Sequence, residues 1–244
     1  MKKIIFSFAI ISLALSSCKN DSTETPVTAT VYDAATQNKY DDQAAVKFLN
    51  DYFLDARGNI KPFTTTDVPS ATNVKLADLN PVTLPSGVIY IMRAGAQPAT
   101  GKVIGNTDVI RLLSNTLTYQ ATNINDVVTF NFPQTFRNGV SGTGVPEVDP
   151  TYFYVKNSVL AAATTDASKQ RSYYQIEGFS EALQKFKAYD IPDSDNYTLQ
   201  GVIIVPSRAA FGKDSHFNYT GFSLNDRSFV FDFQVYKTDT RPNP

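Results

Sequence analysis

The chain has 244 residues, of which 42% are hydrophobic, with 22 Lys or Arg side chains against 23 Asp or Glu. A formal net charge of −1 with no basic stripe argues against nucleic-acid binding, because phosphate neutralisation supplies most non-specific affinity for nucleic acids. One cysteine, Cys18, and one histidine, His216, exclude intrachain disulfides and cysteine-rich zinc sites, and we expect neither a metal nor another cofactor.

The N-terminus has the pattern of an export signal. Two lysines precede an apolar run from Ile4 to Leu15, which is too short to span a bilayer. Leu15-Ser16-Ser17-Cys18 matches the lipobox of a lipoprotein signal peptide. We therefore predict that residues 1–17 are removed and that Cys18 is lipidated. The alternative is an ordinary buried thiol. A lipidated Cys18 would place the protein in the cell envelope, anchored to the outer membrane on its periplasmic or its surface face.

Residues 18–39 are rich in Thr, Ala, Asp and Asn, a composition that predicts a flexible tether. The next segment, 40–86, is predicted to hold a helix followed by an extended connector. Apolar residues at three- and four-residue spacings favour a helix from Tyr40 to Arg57, with Asp41 as its N-cap. This helix serves either as a partner surface or as packing for its own domain. The connector contains four prolines.

Five later segments rich in β-branched and aromatic residues predict strands, because such side chains fit a pleated, half-buried surface. One short segment, Gly178 to Lys187, predicts a helix that needs tertiary support. One helix on one antiparallel sheet is an α+β arrangement. The predicted strands are Val88 to Arg93, Asp108 to Thr118, Val127 to Phe132, Gln200 to Val205 and Ser228 to Lys237.

Three stretches then follow one another: Tyr174-Gln175-Ile176-Glu177-Gly178-Phe179-Ser180-Glu181-Ala182-Leu183, Val205-Pro206-Ser207-Arg208-Ala209-Ala210-Phe211-Gly212, and Ser228-Phe229-Val230-Phe231-Asp232-Phe233. Their order resembles the closing half of FKBP-type peptidyl-prolyl cis-trans isomerases, in a lipoprotein form of the Bacteroidetes type with a divergent active site. The resemblance implies an FKBP-like antiparallel sheet half-wrapped around a short helix, with an extra N-terminal helix. The FKBP-like domain would span 87–239 with a long insertion at 119–171, followed by a tail at 240–244.

The resemblance also implies a pocket for proline. Phe179 takes the place of the family's pocket-floor tryptophan, and the backbone N–H of Ile176 is where the substrate is held. Apolar walls favour the twisted amide, which has less charge separation than the planar one, so no acid-base group is required. The residues predicted to be catalytic are Phe179, Ile176, Phe211 and Phe231, and those predicted to contact substrate are Leu112, Gln175, His216 and Phe222.

These residues also allow a purely structural interpretation. The apolar ones are typical of a core, and His216 fits a solvated loop because the sequence identifies no carboxylate or nucleophile as its catalytic partner. Two departures from the family concern the pocket itself. Phe211 lacks the hydroxyl of the tyrosine it replaces, and no Phe-Asp pair follows the strand that ends near Thr118. The insertion stands there instead, as a replacement wall, a lid or a partner surface.

Two functions follow from this interpretation. The first is a peptidyl-prolyl cis-trans isomerase that acts on Xaa-Pro bonds of exported polypeptides. The alternative is a catalytically weak or inactive FKBP-like chaperone, or an accessory subunit of an outer-membrane secretion or assembly machine. The predicted partners are a proline-containing polypeptide, the membrane through Cys18, and an outer-membrane protein. A surface glycan-binding lipoprotein is a third class, although the chain has no tryptophan for stacking on sugars.

Overall fold

The structure is a computed structural model that describes residues 31–64 and 73–242. The signal segment and Cys18 lie outside the described residues. No helix within the described ranges is long and apolar enough to cross a membrane. The helices are α1 (Ala34–Asp51), α2 (Asn157–Ala162) and α3 (Glu177–Leu183), and the strands are β1 (Tyr52–Leu54), β2 (Ile60–Pro62), β3 (Val82–Thr83), β4 (Ile89–Met92), β5 (Lys102–Val103), β6 (Val109–Ile124), β7 (Val127–Asn138), β8 (Glu147–Val148), β9 (Lys187–Ala188), β10 (Gly201–Val205) and β11 (Arg227–Asp239).

The two longest strands, β6 and β11, form the centre of an open antiparallel sheet. Their pairing runs from Arg227 opposite Gln120 to Asp239 opposite Val109. The strand order is β3-β4-β10-β11-β6-β7, and β8 pairs with β6 at one end. The predicted α+β arrangement is confirmed, and the five predicted strands correspond to β4, β6, β7, β10 and β11.

Helices cover both faces of this sheet. Successive side chains of a strand point to opposite faces, so Phe231 lies on one side while Val230 and Asp232 lie on the other. The first side is covered by α3, where Phe179 is buried against Phe231. The second side is covered by α1, where Phe48 and Val230 belong to a separate buried cluster. The chain therefore has one apolar core on each face of the sheet.

The N-terminal helix begins earlier than the predicted start at Tyr40 and ends earlier than predicted. Its N-cap is Asp33, whose Oδ1 accepts a hydrogen bond of 2.8 Å from the Thr36 N–H. A capping carboxylate satisfies a donor that the helix itself leaves free. The first turns of α1 are polar, so the sequence pattern resembles a tether there. The second half of the predicted tether, 18–39, therefore contains the first helical turns.

Asp41 is a buried residue within α1, not the predicted N-cap. Its Oδ2 accepts hydrogen bonds from the Ser207 N–H at 2.8 Å and the Ser207 hydroxyl at 2.6 Å. Gln37 Nε2 donates to the other carboxylate oxygen at 2.9 Å. Burial nevertheless raises the pKa of Asp41, against the lowering effect of these hydrogen bonds. The contact with Ser207 ties α1 to the turn that follows β10.

The predicted insertion, 119–171, is not a loop throughout. Its first part continues β6 to Ile124 and returns as β7, through a turn in which Asn125 and Asp126 have φ angles of 51° and 64°. Asn and Asp tolerate this left-handed conformation, which two-residue hairpin turns require. The start predicted at Tyr119 therefore falls inside a central strand. The sequence after β7 holds β8 and α2 and crosses the face covered by α3.

Candidate functional site

Three of the predicted pocket residues meet where α3 faces the sheet. The rings of Phe179 and Phe231 stack with their centroids 4.1 Å apart. Ile176 stands at the N-cap position of α3. All three side chains have 0% exposure, and Leu112 on β6 has 1%. The predicted rings therefore converge, but they form part of the closed core.

Phe211 and His216 stack on each other in the segment between β10 and β11. Their ring centroids are 3.8 Å apart, and the exposures are 6% for Phe211 and 4% for His216. Burial lowers the pKa of His216, against the opposite effect of Asp214, so the neutral imidazole is favoured at neutral pH. The solvated-loop interpretation of His216 is therefore wrong.

The last two predicted residues lie at the border of the same cluster. The Gln175 Oε1 accepts a hydrogen bond of 3.2 Å from the Val155 N–H. Phe222 is half-buried and packs against the core, with the Arg227 guanidinium 5.4 Å from its ring centroid. Gln175 is therefore engaged by the insertion itself.

The residue that sequence reasoning missed is Tyr152, in the second half of the insertion. Its ring lies 5.9 Å from Phe179 and 6.3 Å from Phe231, between centroids, and its side chain has 0% exposure. The Tyr152 hydroxyl donates to Glu147 at 2.9 Å. Burial, with a smaller effect of the Glu147 charge, holds the pKa of Tyr152 well above its usual range. Phe136 of β7 closes the other side, 5.2 Å from the Tyr152 ring.

Backbone contacts fix the segment Tyr152–Val155 against the start of α3. The Ile176 N–H donates to the Tyr152 carbonyl at 2.8 Å. The Ser180 hydroxyl donates to the Phe153 carbonyl, also at 2.8 Å. We call Tyr152–Val155 the plug segment, because its carbonyl at Tyr152 accepts the Ile176 N–H and its Tyr152 ring fills the space beside Phe179 and Phe231. Its sequence signal is the uninterrupted apolar run Tyr-Phe-Tyr-Val after Pro150-Thr151.

Tyr219 completes the enclosure. Its hydroxyl donates to the Tyr174 carbonyl at 2.6 Å, and its ring lies 5.6 Å from Phe136 and 6.0 Å from Tyr152. Burial raises the pKa of Tyr219. Tyr219 thus seals the side on which the segment between β10 and β11 approaches the insertion.

No group of three or more His, Cys, Asp or Glu side chains in the described ranges is arranged to hold a metal ion. The absence of a cofactor remains a prediction.

No protein-family model and no curated protein matches this sequence. Among solved structures, the chain is similar to FkpA from Escherichia coli, at 15% identity and a TM-score of 0.36, over 66% of this chain and 53% of FkpA. It is also similar to the N-terminal domain of FKBP42 from Arabidopsis thaliana, at 11% identity and a TM-score of 0.37, over 70% of this chain and 98% of that domain. The chain therefore spans about half the length of FkpA, and both similar structures are FKBP-type proteins.

Proposed function

We propose that this chain is an FKBP-like, polypeptide-binding protein of the cell envelope without isomerase activity, acting as a chaperone or an accessory subunit of an outer-membrane machine. The observation that carries this proposal is the hydrogen bond from the Ile176 N–H to the chain's own Tyr152 carbonyl. The donor implied for substrate is already satisfied, and the ring of Tyr152 lies against Phe179 and Phe231.

The energetics favour the closed arrangement. Fully burying a large apolar side chain stabilises a protein by about 1.5–3 kcal/mol, so returning the Tyr152 ring to water costs roughly that amount. Each 1.4 kcal/mol changes a population tenfold, so this cost alone makes the closed form about ten to a hundred times more populated than the open one. Proline isomerisation needs a substrate in contact with the apolar walls. An enzyme that is mostly closed loses activity by the same factor.

The second candidate function is a peptidyl-prolyl isomerase that opens its pocket. The observation that favours this function is that residues from three separate parts of the chain converge, as the FKBP resemblance predicted for a proline pocket. These residues are Phe179, Phe231, and the stacked pair Phe211 and His216. In this case the plug segment would be a lid, and a proline-containing segment of an exported polypeptide would displace it.

A protease-coupled assay with Xaa-Pro peptides separates these two functions. We expect the purified protein to leave the uncatalysed isomerisation rate unchanged while an active FKBP accelerates it under the same conditions. Acceleration by the pure protein that is abolished in Phe179→Ala would overturn the proposal in favour of the isomerase.

A further inference from the structure

A second concave site lies on the opposite face of the sheet. It is a cavity of about 660 Å³ between α1, the β1–β2 hairpin and the β6–β7 hairpin. This volume is within the range of roughly 300–1,000 Å³ that small-ligand sites occupy. The sheet separates it from the plug segment, because Asp232 in its lining and Phe231 beside the plug point to opposite faces.

Aromatic side chains form the walls of this cavity. Phe48 and Tyr52 stack at 4.0 Å, and Tyr119 and Phe130 stack at 5.4 Å, between ring centroids. Phe48 lies 5.9 Å from both Tyr119 and Phe130, so the four rings form one group. Stacked and edge-to-face arrangements of this kind favour a further aromatic ring.

Two residues of the cavity lining, Asp232 and Asn115, form what we call its floor, and each has a buried oxygen atom that lacks a hydrogen-bond partner among the described residues. Asp232 is 4% exposed, and its Oδ2 accepts the Ile60 N–H at 3.1 Å, while its Oδ1 has no partner. Asn115 lies directly opposite Asp232 on the neighbouring strand, and its Oδ1 is likewise without a partner. Leaving such buried groups unpaired costs about 1–3 kcal/mol each.

The protonation state of Asp232 determines which hydrogen-bonding group a ligand must present to Asp232 and Asn115. Burial holds the pKa of Asp232 well above its usual range, although the Ile60 hydrogen bond lowers it. A neutral carboxyl group has one O–H to donate, whereas the Asn115 Oδ1 can only accept. A hydroxyl group both accepts and donates, so it satisfies both residues at once. An aromatic ring that carries a hydroxyl matches the walls and the floor together.

We propose that this cavity binds a tyrosine side chain of a partner polypeptide. Its ring packs against the four aromatic residues, and its hydroxyl accepts a hydrogen bond from Asp232 and donates one to Asn115. The inference rests on the proposed polypeptide-binding function and names the side chain that is recognised. It uses the other face of the sheet, so an isomerase assay does not test it.

The position of β7 is the reason for choosing a polypeptide over a free phenol. β7 is an edge strand of the main sheet and, in the described part of the chain, pairs only with β6. The pairing is regular over residues 127–131, before the two register shifts, and Phe130 and Asn131 of this stretch line the cavity. An extended peptide that adds to a free edge gains main-chain hydrogen bonds and places alternate side chains in adjacent pockets. A tyrosine at such a position would reach the aromatic cavity.

The test compares ligands by calorimetry on the purified protein. We expect N-acetyl-tyrosinamide to bind at least about tenfold more tightly than N-acetyl-phenylalaninamide, which lacks the hydroxyl. A tyrosine-centred hexapeptide should bind more tightly than 4-methylphenol, because only the peptide reaches the edge of β7. Asp232→Leu should remove the preference for tyrosine over phenylalanine. Asp190 is an exposed carboxylate outside the cavity lining, so Asp190→Asn should leave the preference for tyrosine unchanged.

Equal affinity for the tyrosine and phenylalanine amides, or no binding of either, overturns the proposal. So does a preference that survives in Asp232→Leu. If 4-methylphenol binds as tightly as the hexapeptide, the polypeptide part of the proposal is wrong. Should Asp232→Leu not fold, as judged by circular dichroism, Asn115→Leu gives the same test from the other side of the hydroxyl.

Discussion

At the scale of single residues, the burial of Asp232 determines how stability responds to pH. Its pKa is raised in the folded protein, so the folded chain keeps a proton that the unfolded chain releases above about pH 3.8. The contribution of Asp232 is therefore most favourable below that pH. It declines, by about 1.4 kcal/mol per pH unit, as the pH rises toward the folded pKa.

Asp232→Asn removes this titration while keeping an oxygen for the Ile60 N–H. We expect the variant to gain little stability near pH 4 and progressively more as the pH approaches neutrality. Urea denaturation of both proteins across that range measures the difference. Because Asp41 titrates in the same direction, only the difference between the two proteins isolates Asp232. A difference that does not change with pH would show that Asp232 is ionised in the folded protein.

At the scale of elements, a buried polar anchor at Asp41 helps to hold α1 to the turn after β10, in addition to the apolar face of the helix. Asp41 accepts two hydrogen bonds from Ser207 and one from Gln37. Asp41→Ala leaves the N–H and hydroxyl of Ser207 buried without this acceptor, which should lower the free energy of unfolding by roughly 3 kcal/mol. Urea denaturation provides the measurement, and Gln43→Ala, at an exposed polar position of α1, is the matched control. A loss as small as that of the control would mean that the apolar face alone holds the helix.

The elements also show what the sequence could and could not indicate. Periodicity and β-branched content located α3 and the five main strands. The order of the sequence motifs, including the turn that contains Phe211, predicted that the pocket rings lie close together. The start of α1 was missed because its polar first turns carry no apolar stripe. The plug was missed because the contact between Tyr152 and Ile176 depends on the three-dimensional path of the insertion. Asp232 likewise gave no sign of burial, since a polar residue in an alternating strand normally indicates a solvated face.

At the scale of the whole molecule, the two faces of the sheet have different properties. The face covered by α3 is filled by the chain's own plug segment. The face covered by α1 keeps a cavity lined by polar residues with oxygen atoms that have no partner within residues 31–64 and 73–242. Under the two proposals, the partner polypeptide binds on the face covered by α1, opposite the face on which the FKBP resemblance places the proline pocket. The protein would then bind its partner without isomerising an Xaa-Pro bond.

Anchoring is the other property of the whole molecule, and it is proposed from the lipobox before Cys18. In a host that processes lipoproteins, we expect the protein to sediment with membranes and to incorporate an alkyne-bearing fatty acid. Cys18→Ser should be unlabelled and released from the membrane fraction, because the acceptor of the lipid is lost. Ser17→Ala keeps a small residue in the lipobox and should behave like the unmodified chain. Membrane association of Cys18→Ser equal to that of the control would contradict the proposed anchor.

The isomerase rates of the unmodified chain and of Tyr152→Ala, measured side by side on the same Xaa-Pro peptide, test the central claim most directly. The filled pocket predicts no acceleration by the unmodified chain and measurable acceleration by the variant, which lacks the ring that lies against Phe179 and Phe231. The backbone carbonyl of residue 152 is retained in the variant, so a substrate carbonyl still has to displace it from the Ile176 N–H. Circular dichroism must first show that the variant is folded, since removing a buried aromatic ring costs about 3–5 kcal/mol. An unmodified chain that accelerates isomerisation as well as the variant does would contradict the claim that Tyr152 closes the pocket.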